Sequence, residues 1–260
     1  QGDTIKVDIE SKEFIKKVTV SFNNKYYKAF KKIRSKTAPF QYRLYLGISR
    51  YQKTGAIPLK IWIETKDNEK LKKTAIIKVK SGDFRKSIVN LSPKKTKLQN
   101  NKKQFSNEAS LIGSKFRGIT PSILFSKPFI KPTRGRKSSP FGAYRVYNNK
   151  DSSSRHSGVD ISNKKGTEIV ASNKGTIVLA STLTNHGKTV IIDHGWGIMT
   201  IYNHMSKISV KENQMVGRGN KIGEMGSTGV ATGPHVHWGL SIQNTRVDPL
   251  FWLENPSLYD

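Results

Sequence analysis

Along the first ninety or so residues, apolar side chains return at every second position. Ile5, Val7 and Ile9 alternate with polar residues, as do Val18, Val20 and Phe22, then Leu44, Leu46 and Ile48. Leu59, Ile61 and Ile63 repeat the pattern, and Ala75, Ile77 and Val79 complete it. A period of two sends one face of a segment into a core and the other into water, which predicts half-buried strands. The polar run Lys66-Asp67-Asn68-Glu69-Lys70 between the last two strands predicts a hairpin turn. Short strands and turns in this number predict a β-sandwich of immunoglobulin-like type over residues 1–92. With no histidine and no carboxylate cluster there, this part is expected to bind or position something and not to do chemistry.

From 93 to 137 the alternation stops. Apolar residues are sparse, lysines are many, and a weak stripe of Leu98, Phe105, Leu111 and Ile112 predicts partial helix over roughly 95–117. A charged stretch of this kind is expected to be a solvated connector. Pro128, Pro132, Gly135 and Pro140 then mark the entry to a second domain, 138–260. Strands are predicted there at 167–171, 175–181, 188–193, 199–202 and 235–241, framed by closely spaced glycines that predict tight turns. Asp248 to Leu253 reads as a short closing helix or turn. The fold class is therefore all-β, with two β domains joined by a basic, partly helical linker.

Composition adds three constraints. There is no cysteine, which excludes disulfides, thiolate metal sites and a cysteine nucleophile. No apolar run is long enough to span a membrane. The chain starts at Gln1 without a charged-then-apolar leader, as expected after removal of a signal peptide or at the boundary of an expressed fragment. The net charge of +28 is unevenly spread: residues 1–137 hold 34 Lys and Arg against 9 Asp and Glu, whereas residues 138–260 hold 12 against 9. The basic half could attract an anionic polymer of the cell envelope, or merely reflect a lysine-rich composition. It lacks a nucleic-acid reader motif or regular aromatic interleaving, which argues against specific nucleic-acid binding.

All six histidines lie at or after position 156. His235 and His237 are two apart in a predicted strand, so both can face one pocket. His156 and Asp160, four apart in an extended segment around Gly158, can likewise face one way. Together with one histidine of the far strand they supply two nitrogens and one oxygen. Three protein ligands with an open position is the pattern of a catalytic zinc.

The setting of these residues resembles the lysostaphin-type, LytM-like zinc endopeptidases over about 125–253. The segments that carry the resemblance are Ser139-Pro140-Phe141-Gly142 with Arg145, His156-Ser157-Gly158-Val159-Asp160, Gly166 to Ala171, Val190 to Gly195, Tyr202-Asn203-His204, Gly226 to Gly229 and Gly233 to Gly239. Val236 and Ser157 depart from the commoner family residues without touching the metal chemistry. The resemblance implies His156, Asp160 and His237 as ligands of one Zn2+ per chain, with His204 and His235 as catalytic histidines. It also implies hydrolysis of peptide cross-links in bacterial peptidoglycan, and export to a periplasm or cell envelope. The preceding β module makes a D,D-endopeptidase the expected type, with a non-enzymatic activator of wall hydrolases as the alternative. Some relatives are kept latent by an upstream segment, for which Asn100, Asn101, Gln104 and Glu108 would offer oxygen ligands. Tyr202 shares a strand face with His204 and could line the site or pack in the core. His186 and His194 are read as turn and structural residues, Asp193 as a turn cap, and Trp238 as packing.

Overall fold

The computed structural model describes residues 1–32 and 40–260. The alternating runs at the start become two antiparallel sheets. Thr4–Ser11, Phe40–Gly47 and Phe30–Lys31 form one, in the order first, Phe40–Gly47, Phe30–Lys31. Lys25–Lys28, Ile15–Phe22, Gly55–Thr65 and Lys70–Val79 form the other, in that order. Their inner residues, Ile9, Val20, Phe22, Leu44, Leu46, Leu59 and Val79, share one core. The sandwich layering is therefore present among the described residues. The strand order is not the ABED/CFG order of an immunoglobulin domain, because the first strand pairs with the fifth and the second with the sixth.

The linker departs from the expected solvated connector. Helix α1, Pro93–Asn100, buries no residue, but helix α2, Lys102–Phe116, buries Glu108, Ile112 and Phe116. The two are separated at Asn101, whose side chain accepts the Gln104 N–H at 3.1 Å and caps α2. The buried stripe is spaced by four and is led by a carboxylate, so a count of apolar positions misses it. Phe105 and Leu111 of the expected stripe are exposed. Ile112 and Phe116 pack on Leu179, Ile191, Met199 and Ile201.

Those four residues lie on one face of an eight-stranded antiparallel sheet. Its order is Met215–Val216, Gly175–Leu183, Gly187–Asp193, Ile198–Met205, His235–Ile242, Val159–Ser162 and Arg136–Ser139, with Thr245–Val247 also paired to His235–Ile242. The opposite face carries Ile161, Ile177, Val190, Ile192, Tyr202, Val236 and Trp238, all fully buried against Ile169 and Ile222 of a smaller sheet and Met225 just beyond it. One face of the large sheet thus makes the core, leaving the other for chemistry and for α2.

The two β domains are joined more closely than a solvated linker implies. Phe30 stacks on Trp196 with centroids 5.3 Å apart, and Tyr45 packs on Trp252 at 5.1 Å. The Tyr45 hydroxyl donates to Leu258 O at 2.6 Å, and Trp252 Nε1 donates to Thr4 Oγ1 at 2.9 Å. Lys86–Val89 pairs in parallel with Tyr144–Tyr147, on the far side of the helices. Helix α3, Pro249–Glu254, forms at the expected place, capped by Asp248, which accepts the Leu250 N–H. Trp252→Ala, which empties a fully buried site at this junction, is expected to cost about 3–5 kcal/mol. Urea unfolding followed by far-ultraviolet circular dichroism should show one cooperative transition, moved to lower denaturant.

Candidate metal and catalytic centre

Strand pairing builds the centre. His237 lies directly opposite Asp160 across the antiparallel pair His235–Ile242 and Val159–Ser162. His156 arrives on the approach to Val159, where the chain crosses close above the neighbouring strand. At Gly158 a Cβ would stand 2.4 Å from Trp238 O and 2.9 Å from the His237 ring, so only glycine fits the crossing. The three side chains converge: His156 Nε2 is 2.9 Å from His237 Nδ1 and 3.0 Å from Asp160 Oδ1, and His237 Nδ1 is 3.1 Å from the same oxygen. All three are buried.

The neighbours fix which atoms are free. His156 Nδ1 is 2.8 Å from Pro140 O, and a carbonyl only accepts, so Nδ1 carries the proton and Nε2 keeps its lone pair. Arg145 Nη2 donates to Asp160 Oδ2 at 2.9 Å, leaving Oδ1 for the other two groups. Burial pushes the Asp160 carboxyl up, but His156 and His237 outweigh it and hold the group well below the usual carboxylate range. Burial pushes both imidazoles down, His237 to about 3, so both favour the neutral form that binds metal. Two imidazole nitrogens and a carboxylate oxygen about 3 Å apart repel one another unless a cation or shared proton lies between them. Tetrahedral zinc ligands sit roughly 3.3 Å apart, so the donor set fits zinc. Among the described residues, His156, Asp160 and His237 are the group that could hold a metal.

His204 and His235 flank this triad with ring centroids 4.8 Å apart. His235 Nε2 is 3.9 Å from Asp160 Oδ1. Each has its Nδ1–H directed at a carbonyl, His204 to Thr228 O at 2.8 Å and His235 to Gly233 O at 2.9 Å, so each keeps an unprotonated Nε2. Burial, then the neighbouring His235 and His237, hold the His204 imidazole well below its ordinary value.

A regular strand would put His204 on the core face with Tyr202. Instead Val190 pairs with Tyr202 and Lys188 with Met205, so Asn203 and His204 together face Thr189 in a bulge. His204 has a left-handed φ of 66°, a strained conformation typical of functional sites. Tyr202 stays in the core, its hydroxyl accepting Ser172 N at 3.0 Å. His194 is a packed structural residue, bonded to Lys174 O and Thr200. Asp193 caps its turn through Gly195 N, and Trp238 is fully buried in the core, both as expected.

The support for His204 includes a residue that the sequence reading placed elsewhere. Glu108 of α2 accepts Asn185 N at 2.9 Å, His186 N at 3.2 Å and His186 Nδ1 at 2.7 Å. The same turn accepts His204 N through His186 O and Val230 N through Asn185 O. Lys95 of α1 donates to Ser227 O and Gly229 O of the neighbouring loop. Glu108 therefore orders the turn beside the centre instead of serving as a metal ligand, Asn101 caps α2, and Gln104 donates to Glu108. His186 is a turn residue, as expected, with Glu108 as an unforeseen partner.

Residues 154–249 match peptidase family M23. The fold resembles the solved structure of an M23-type protein from Pseudomonas aeruginosa, with a TM-score of 0.69 and 28% identity over 97% of this chain and 93% of that one. Peptidoglycan DD-endopeptidase ShyA of Vibrio cholerae is 36% identical over 45% of this chain and 27% of its own length. Murein hydrolase activator NlpD of Escherichia coli is 33% identical over 47% of this chain and 30% of its own. The chain spans about a quarter to a third of the length of these curated relatives.

Burial raises the Glu108 carboxyl, but His186, the Asn185 N–H and Gln104 together bring it down from 4.5 to about 2. Its contribution to stability should be complete above about pH 4.5 and lost as pH falls toward 2. Chemical denaturation across that range should show the advantage over Glu108→Gln shrinking in acid. At neutral pH, Glu108→Ala should destabilise by about 2–4 kcal/mol, because four donors lose their acceptor.

Proposed function

We propose that the chain is a zinc metalloendopeptidase hydrolysing peptide cross-links of bacterial peptidoglycan, a reading supported by the match of residues 154–249 to peptidase family M23. The observation that carries this reading is the convergence of His156 Nε2, His237 Nδ1 and Asp160 Oδ1 beside two further histidines with unprotonated Nε2 atoms. The relative named as a peptidoglycan DD-endopeptidase favours a D,D bond, and with it an exported protein working in the periplasm or envelope. Attraction of the basic N-terminal half to anionic envelope polymers belongs to the same proposal.

His156, Asp160 and His237 would hold the zinc ion, which supplies Lewis acidity to acidify an attacking water and polarise the scissile carbonyl. His235 Nε2 accepts the water's proton and delivers it to the departing amine. His204 begins with its only N–H committed to Thr228 O, so it can donate to a developing oxyanion only after gaining a proton at Nε2. Burial and the neighbouring His235 and His237 oppose that charged form, and Asp160 offsets them only in part. Arg145 keeps the Asp160 carboxylate oriented throughout.

The second reading, an activator without hydrolysis, is favoured by the likeness to NlpD. Against it stands a complete set of five site residues on a strained and well-supported framework. Zinc-loaded protein incubated with cross-linked sacculi should release monomeric muropeptides, detected by mass analysis; persistence of all dimers would favour the activator. His237→Ala should lose both zinc and hydrolysis. His235→Ala should keep one zinc per chain, measured by metal analysis, while hydrolysis falls about 100- to 10,000-fold.

A further inference from the structure

The face of the large sheet that carries His235 and His237 continues to Gly239 and Ser241. Beside Ser241, across the pair with Thr245–Val247, lies Arg246. Its side chain leans back over Gly239: a Cβ there would be 3.3 Å from Arg246 Nη1, 2.9 Å from Ile201 and 3.3 Å from Ser157 O. The guanidinium lies 3.9 Å from the centre of the Phe116 ring of α2, which shields one side of it. Arg246 is half-buried, and its Nη1 is fully buried without a hydrogen-bond partner; the Ser241 hydroxyl opposite is buried and unpartnered too.

A guanidinium in such a place normally faces a carboxylate, because a buried, uncompensated charge is costly. Here burial is the main influence on the group and the next is the positive charge of Arg50, which lowers it further to about 9. Among the described residues no carboxylate pairs with it. The protein's own acid in this region, Asp160, is bonded to Arg145 and to the two ligand histidines.

We propose that Arg246 anchors a free carboxylate borne by the amine half of the substrate, so that the amide cleaved is one whose leaving amine carries an α-carboxylate. The spacing selects this carboxylate. Residues two apart on a strand are roughly 6.6 Å apart. An α-carboxylate carbon on the leaving amine lies three bonds, or about 3.5 Å, from the scissile carbonyl carbon. A charge-assisted hydrogen bond of about 2.8 Å covers most of the remainder. An internal glycyl bridge has no carboxylate at that position, whereas a terminal dipeptide and a direct cross-link to the amino-acid end of a diamino acid both do. In hydrolysis the water oxygen joins the carbonyl carbon, the C–N bond breaks and the proton goes to the amine. Arg246 exchanges no proton and acts as a specificity residue.

This inference rests on the hydrolase reading, and its test separates the two. N-acetyl-D-alanyl-D-alanine and its C-terminal carboxamide are titrated into zinc-loaded full chain carrying His235→Ala. Binding is followed by the arginine Nε–Hε resonances, with that of Arg246 assigned by its loss in Arg246→Lys. The acid should shift the Arg246 signal and bind about 10- to 100-fold more tightly than the amide. Arg246→Gln should abolish that preference and Arg246→Lys keep part of it, with zinc content and thermal unfolding unchanged in the lysine variant. Equal binding of acid and amide overturns the proposal, as does a preference that survives in Arg246→Gln. Acid-selective binding with no cleavage of cross-linked muropeptides would sink the hydrolase reading and leave the anchor standing. Cleavage indifferent to amidation of the leaving-side carboxylate would do the reverse.

Discussion

The register that sets Asp160 opposite His237 is the constraint on which the centre depends. A slip of one residue in either strand would turn its site side chain to the other face, putting a carboxylate or an imidazole into an apolar core. That core prevents the slip. Val159, Ile161, Val236 and Trp238 alternate with the site residues and are fully buried, so the hydrophobic effect that folds the sheet also holds the ligands together. The polar face is aligned in part by packing on the reverse side.

This division explains what could be read in the sequence. The strand runs, and the grouping of His156 and Asp160 with one histidine of the pair His235 and His237, were legible because they follow a period of two and a short local spacing; the choice of His237 came from the resemblance. His204 was legible only through the resemblance: the same period predicts that it shares a face with Tyr202, and the bulge at Asn203–His204 breaks that parity. The immunoglobulin-like expectation failed at connectivity, since alternation reveals that strands exist and says little about which pair. Helix α2 was misread as solvated because its buried stripe begins with Glu108, a residue whose burial makes sense only once the turn at Asn185–His186 is in place.

That turn changes what the helical segment is. Lys95 and Glu108 come from different helices and both bind loops around His204, one through backbone carbonyls and the other through backbone N–H groups. The 154–249 region that matches the family contains the candidate site residues. Part of their support lies outside it, in residues whose charges match the free ends of the loops they hold.

The face used for chemistry is the one on which the protein tolerates poor local energetics. It carries a left-handed His204, three acceptor atoms in near contact, and the unpartnered Arg246 Nη1 and Ser241 Oγ. The reverse face is mostly apolar, its polar atoms being those of Thr200, the bonded Tyr202 hydroxyl and the unpartnered Trp238 Nε1. Unfavourable features gathered on one side of a sheet, with their stabilisation on the other, can all be relieved together by binding. On the proposed reading, a cation would answer the clustered acceptors at one end of that face, and a carboxylate the guanidinium at the other. Complementary charges about one residue apart would fix a peptide's direction across the sheet, because reversing it would set the carboxylate against Asp160 and leave Arg246 unpaired.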